Sequence, residues 1–291
     1  MLDLSHIPNS QQDVQIFYTN GNTNAWQTWN KPRKCNYVWI MCVGGAGGGA
    51  GGAANSSNVY STGGGSGGVS RALYNAQQLP DRLYIQVGLG GAGGASTTAG
   101  SPGTRSWVAL QPAVVAQNLV QGSGAAVAAG GTSGTGTSAA GETIVTQTTS
   151  TFLTLSNFIG TAGVNAAGSL TAQAPNITPL TSQITCPGGG GSAGIPNALS
   201  GGSILSSSFS PLISGGGRKA VSGSIGGNGA DGITSWKPFF STGGAGGGNS
   251  ISGSGGNGGN GGIGSGGGGG GGKSLLSGAI GGTGGKGGDG L

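Results

Sequence analysis

The residues able to do chemistry are few and scattered. His6 is the single histidine and Glu142 the single glutamate; Asp3, Asp13, Asp81, Asp231 and Asp289 stand far apart in turn-like contexts. Multi-histidine metal sites are excluded by the count. A Ser–His–Asp arrangement would hang on His6 alone, in a polar opening stretch. Short Asp side chains bond to nearby backbone and favour turns, and that is the role read for these five. Cys35, Cys42 and Cys186 are odd in number and too few for a disulfide framework, so reduced, buried thiols are expected. No catalytic residue, metal site or cofactor is assigned, and the chain is read as not being an enzyme.

Two glycine patterns imitate nucleotide sites. Gly267–Ser274 fits G-x-x-x-x-G-K-S, but it ends a run of seven glycines with no strand before it, where a phosphate loop needs a buried strand and a following helix. Gly88, Gly90 and Gly93 fit G-x-G-x-x-G after a strand-like stretch. No helical pattern and no acidic residue about 20 positions on accompany them, as dinucleotide binding requires. Any glycine tract generates such matches.

The glycines instead have their own order. In ISGSGGNGGNGGI (251–263), Ile251, Ser254, Asn257, Asn260 and Ile263 recur every third residue, and the beat returns at Ile280, Thr283, Lys286 and Asp289. Period three is that of a polyproline-II-type helix, which has no internal hydrogen bonds. Its N–H and C=O groups must then be paired laterally. The expectation is a bundle of packed polyglycine-II helices with the third-position residues facing outward. Fixing a residue costs about 1–2 kcal/mol, and a hydrogen bond returns about 0.5–1.5 kcal/mol. Such a lattice is near break-even and needs an apolar core or partner subunits.

Strands supply that core. Val14–Tyr18 reads as a short strand. Asn36–Val43 (NYVWIMCV) is apolar on both faces and reads as central. Val69–Leu79 and Arg82–Val87 read as strands joined by Pro80–Asp81. Arg105–Leu110, Val127–Ala129 and Thr143–Leu155 are further candidates, and 175–215 reads as loops. The fold class expected is mainly β: a small β-sandwich-like region with a polyglycine-II bundle and little or no α-helix. The organisation is an N-terminal arm (1–13), a β-rich domain with glycine-rich loops (14–140), and a Thr/Ser-rich then glycine-rich region (141–291).

Composition excludes several classes. Gly is 73 of 291 residues and Pro only 11, without a strict Gly-X-Y repeat, so collagen is out. The net charge of +5 comes from dispersed residues with one small cluster, Lys31, Arg33 and Lys34, so no nucleic-acid partner is expected. No stretch nears the ~18 apolar residues of a membrane span, and MLDLSHIPNS lacks the pattern of a signal peptide. Among the aromatics, Tyr37, Trp39, Tyr84 and Trp107 are expected to pack in the core, with Trp26 and Trp29 capping the first sheet. Tyr60, Trp236, Phe239 and Phe240 fall in inserts between glycine runs. With Asn55 and Asn58 they form the candidate receptor-binding set, on the reading that the inserts are exposed tips. The competing reading is that these aromatics plug the ends of the bundle or an interface.

A strand bearing Phe17, the Trp29–Lys31–Pro32 lead-in, the apolar strand at 36–43 running into glycine, VGLGGAGGA at 87–95 and the closing GGTGGKGGDGL together resemble the glycine-rich domains of bacteriophage tail fibres and related virion proteins. The resemblance covers residues 14–95 best. It implies a spike or fibre-tip adhesin on the virion surface, with other virion proteins and a host surface glycan or outer-surface protein as partners. It also implies a homo-oligomer, with a trimer favoured. Such domains close with an apolar strand after Gly-Asp-Gly, which here would have to lie beyond Leu291 or come from a neighbour. Two other readings compete: a purely structural capsid, cement or minor virion protein, and an ice-binding or silk-like glycine-rich protein. The mixed third positions argue against ice binding.

Overall fold

Strand-favouring β-branched and aromatic residues recur in the nine strands found among the described residues of the computed structural model: β1 (Gln27–Asn30), β2 (Tyr37–Val43), β3 (Val69–Asn75), β4 (Arg82–Gln86), β5 (Ser106–Ala109), β6 (Asn118–Gly122), β7 (Leu153–Phe158), β8 (Thr234–Trp236) and β9 (Phe239–Ser241). It describes residues 13–22, 25–52, 61–112, 118–122, 153–158, 184–186, 188–191, 199–205, 215, 217–218, 225–236, 239–274 and 278–291. Among these there is no α-helix, and the protein is mainly β. One sheet has the order β1-β4-β5-β6, a second β2-β3-β7, and β8 and β9 form a hairpin, all antiparallel.

The two larger sheets share one core. Cys42 of β2, Ala72 and Tyr74 of β3, Leu83 and Ile85 of β4 and Val108 of β5 pack together with Leu79 and Val87, and Phe17 and Trp29 lie against them. A second cluster, Val43, Val69 and Ile184, gathers Met41, Phe239, Phe240, Ile263 and Leu291.

Several expectations are corrected here. The segment Val14–Tyr18 joins no ladder. The apolar stretch 36–43 forms β2, but β2 lies at the edge of its sheet and β3 is central. Its two apolar faces serve two different clusters, Cys42 in the first and Val43 in the second, rather than a position between two strands. The strand from Val69 stops at Asn75, not Leu79: Asn75 Oδ1 accepts from Gln77 N (3.0 Å) and starts a 3₁₀ turn, Ala76–Gln78. Lys31 Nζ clamps that turn through the carbonyls of Ala76 (3.2 Å) and Leu79 (2.8 Å). The chain then passes into the other sheet as β4. Tyr37 is 67% exposed, and Trp39, Tyr84 and Trp107 are only half-buried; among the described residues the fully buried aromatic is Tyr74. Of the weaker candidates, 106–109 forms β5, whereas Val127–Ala129 and 143–152 lie outside the described residues. All three cysteines are free, Cys42 and Cys186 buried and Cys35 half-buried.

The glycine runs leave these sheets and bond to one another sideways. Along 43–52, donors cycle through three neighbours: Val43, Ala46, Gly49 and Gly52 to the run 280–291; Gly44, Gly47 and Ala50 to 61–68; Gly45, Gly48 and Gly51 to 98–105. The run 264–273 is the hub. It donates to Cys186 and Gly189, to Gly47 and Ala50, and to Gly259 and Gly256; it accepts from Gly64 and Gly67, from Gly244 and Gly247, and from Gly282 and Gly285. Six surrounding segments are thus engaged through bonds of 2.7 to 3.1 Å. A run enclosed on every side has no outward line for side chains, which is why its centre, Gly266–Gly272, is glycine throughout.

Candidate functional site

The segment that imitates a phosphate loop is that hub. Its N–H groups from Gly266 to Gly271 are all committed to carbonyls of other runs, and Lys273 Nζ donates to the Ala279 carbonyl (2.6 Å). In the segment that imitates a dinucleotide-binding turn, Gly88 N donates to Ser106 Oγ (2.9 Å) and Gly90 N to Asp289 Oδ1 (2.8 Å). Donors that a phosphate would need are spent on the lattice.

The outer face of the runs is built from three parallel segments, 225–234, 254–263 and 280–289, and the antiparallel 88–95. Here the third-position residues do point outward: Asn228, Asp231, Asn257, Asn260, Thr283 and Lys286 are exposed. They also bend sideways. Asn257 N donates to Asn228 Oδ1, Asn260 N to Asp231 Oδ1 and Ile263 N to Thr234 Oγ1. The next run repeats the device, with Ile280 N to Ser254 Oγ, Thr283 N to Asn257 Oδ1 and Lys286 N to Asn260 Oδ1. These N–H groups face solvent, where no further run can accept from them, so a short polar side chain on the neighbouring run does. Asn257→Ala is expected to lower stability by about 1 kcal/mol in urea denaturation. Asn257→Asp, which keeps the acceptor, should lose less than half of that. Equal losses in the two variants would show that the capping bond contributes nothing.

The candidate aromatics among the described residues lie at the sheet end of the runs. Phe239 and Phe240 in β9 pack on the Val43–Val69–Ile184 cluster, where β2 and β3 meet the glycine lattice. Trp236 is 41% exposed. Its ring meets Phe239 (5.6 Å between centroids, tilted 51°) and Tyr18 edge-on (6.2 Å, 84°). Asn55, Asn58 and Tyr60 lie outside the described residues. Gly52 and Ser61, which bracket them, sit at the far end of the same runs, since Ala50 N bonds to Thr62 O while Gly44 N bonds to Gly68 O. Of the candidate set, the described residues Trp236, Phe239 and Phe240 form one aromatic hairpin that borders the sheets.

Chain direction makes the far end rich in connections. The run ends 52/61, 95/98, 191/199, 218/225, 250/254 and 273/280 all lie there, whereas 68/69, 87/88, 105/106 and 233–241 adjoin strands and the runs 254–263 and 264–273 join at the sheet end. Sequence reading puts strands at the base with glycine runs projecting from their ends, but it does not tell which insert lies at which end. The signal for that arrangement lies in the strand–glycine unit: β2 and β4 each lead into a glycine-rich run of about ten residues, and that run must return before the next strand.

No family model matches the chain, and no curated protein matches it in sequence. No helix among the described residues is long and apolar enough to cross a membrane, and no group of three or more His, Cys, Asp or Glu among them is placed to hold a metal ion.

Proposed function

We propose that this protein is a non-enzymatic virion surface protein, a spike or fibre-tip adhesin that recognises a host surface glycan or outer-surface protein. In this reading the glycine runs are polyglycine-II helices packed as a bundle, and the two larger sheets form a small sandwich that closes one end. The bundle is a stiff mount, and the connections at its other end make the contact. The observation that carries the reading is the polarity of the runs among the described residues: strands border one end, and six pairs of run ends lie at the other. Recognition residues are commonly carried on loops held by a rigid scaffold. The resemblance to tail-fibre domains supports the same assignment.

Within it, Asn55, Asn58 and Tyr60 are the receptor contacts. Trp236 is a secondary contact at the sheet end, while Phe239 and Phe240 hold the hairpin in place. The test replaces residues 53–60 with a Gly/Ser loop of equal length and measures adsorption of the labelled protein to a panel of bacterial cells. Adsorption to the cells that the unaltered protein binds is expected to fall on the order of tenfold or more, as loss of a binding hot spot would give, with an unchanged melting temperature. Full adsorption by both this variant and Trp236→Ala would refute the assignment of the site.

A further inference from the structure

We propose that Asn20–Gly21 is a site of spontaneous chemical modification, and that the glycine lattice shields the other Asn–Gly pairs of the chain from the same reaction. The four pairs are Asn20–Gly21, Asn228–Gly229, Asn257–Gly258 and Asn260–Gly261, and all lie among the described residues. Asn–Gly is the pair in which a main-chain nitrogen most readily attacks the preceding side chain, because glycine has no Cβ to hinder the approach. The Gly amide nitrogen, having given up its proton, bonds to Asn Cγ. The Cγ–Nδ2 bond breaks, and Nδ2 leaves as ammonia with that proton. Water then opens the cyclic imide. Breaking the bond from nitrogen to Cγ gives aspartate. Breaking the bond from nitrogen to the main-chain carbonyl carbon gives isoaspartate, whose backbone runs through Cβ and carries one extra carbon.

Exposure does not separate the four, since all four Asn residues are exposed. Main-chain bonding does. The peptide Asn257–Gly258 is pinned on both sides: Asn257 O accepts from Gly229 N (2.8 Å), and Gly258 N donates to Thr283 O (2.9 Å). The peptide Asn260–Gly261 is pinned likewise, between Gly232 N (2.6 Å) and Lys286 O (2.8 Å). At Asn228–Gly229 the attacking nitrogen is the same Gly229 N that donates to Asn257 O. The side chains are tied as well. Oδ1 of Asn228, Asn257 and Asn260 accepts from Asn257 N, Thr283 N and Lys286 N on the neighbouring run, each at 2.9 Å. Cyclisation would have to take the proton from an N–H bonded to a carbonyl, swing the carboxamide off its donor and turn a peptide plane that joins two runs. A Cβ on Gly229, Gly258 or Gly261 would fall on the main-chain oxygen of Ala245, Gly268 or Ser265, so the runs lie too close for the plane to turn.

The turn that holds Asn20–Gly21 is built differently. Asn20 Oδ1 accepts from Asn22 N (3.1 Å), and Gly21 N donates to Thr19 Oγ1 (3.1 Å). Both bonds join residues two apart, a local arrangement typical of Asn in turns, and neither ties the turn to another part of the chain. Asn20, Gly21 and Asn22 are all exposed. Gly21 adopts a φ of 82°, and a Cβ on it would meet nothing within 4 Å. The peptide plane is free to turn, and water can replace the Thr19 hydroxyl on the Gly21 N–H. The new carboxylate forms two residues from Tyr18, whose ring meets Trp236 at the sheet end. This inference is independent of what the far-end loops recognise.

Peptide mapping by mass spectrometry tests it on the full chain, aged in mildly alkaline buffer either folded or in urea. In the folded protein Asn20 is expected to convert first. Asn228, Asn257 and Asn260 should be slower on the order of tenfold or more, because their Gly amides react only after local opening of the lattice. In urea the lattice is gone, and the four rates should converge. Asn20→Gln, whose longer side chain cyclises slowly, should leave the folded chain free of the early acidic form on isoelectric focusing, with an unchanged melting temperature. Lattice residues that convert as fast as Asn20 in the folded protein would overturn the proposal, as would an Asn20 that stays intact there. A rate difference that persists in urea would show that neighbouring residues in the sequence decide, not the lattice, and would overturn it equally.

Discussion

Gly268→Ala is expected to abolish the folded state. A Cβ placed on Gly268 falls on the carbonyl carbon and oxygen of Ala245. Overpacking costs about 1–3 kcal/mol when side chains can shift out of the way. Here the obstacle is main chain that is itself fixed: the Ala245 carbonyl accepts from Gly259, while Gly268 donates to Gly259 and accepts from Gly285. Relieving the clash displaces three runs together. The loss should exceed ~4 kcal/mol, a size reserved for a few specific mechanisms, against a total stability of about 5–15 kcal/mol for a typical domain. The rule concerns position, not residue type. Ala46, Ala50 and Ala245 are fully buried in the same lattice, at points where one methyl group finds room. The check is soluble yield and thermal melting of Gly268→Ala beside Ala92→Ser, whose side chain is exposed. A Gly268→Ala protein melting within ~4 °C of the parent, the shift expected from about 1 kcal/mol or less, would mean the runs can spread, and the hub would not be the constraint described.

What the sequence makes legible follows from which interactions are local. Strand positions are readable because apolar residues within four to seven positions determine them, as in β2, β4 and β5. The end of β3 is not, because the Asn75 cap and the Lys31 clamp decide it, and Lys31 lies 45 residues from Ala76. Outward third positions at 254–263 and 280–289 are readable from period three. The hub is not: a run with no outward line has no period, so Gly266–Gly272 carries the same pattern as a flexible linker or a phosphate loop. The capping ladder escapes for another reason. Its partners are offset by 29 residues (228/257, 231/260, 234/263) and then 26 (254/280, 257/283, 260/286), a relation between runs rather than along one. Aligning the chain with itself at those offsets would expose it. The candidate site is legible only as two inserts; which end of the lattice each occupies depends on the direction of every run between them.

Alkaline pH is expected to unfold the protein well before neutral-pH stability would suggest. Burial pushes the Cys186 thiol from 9.0 up to about 12, against a smaller opposing effect of a backbone hydrogen bond with Gly243, and pushes the Tyr74 phenol from 10.0 up to about 12. Both groups stay neutral in the folded protein where the unfolded chain ionises. Above pH 9 the unfolded state therefore binds fewer protons than the native state, and stability falls as pH rises. The contribution is intact below about pH 8.5 and is lost progressively between about 9 and 12, by on the order of 2–4 kcal/mol at pH 11. Urea midpoints measured from pH 8 to 11 should fall steadily. In Cys186→Ala the fall should begin one pH unit later, with Tyr74 alone. A midpoint constant to pH 11 would show that neither group is held as described. The effect reaches the lattice directly, because Cys186 is 0% exposed, its N–H donates to Ser265 Oγ, and its carbonyl accepts from Gly266 at the start of the hub. A thiolate there meets main-chain carbonyls and no water. The only escape is to part the run 184–191 from 264–273, the separation on which the six-sided enclosure of the hub depends.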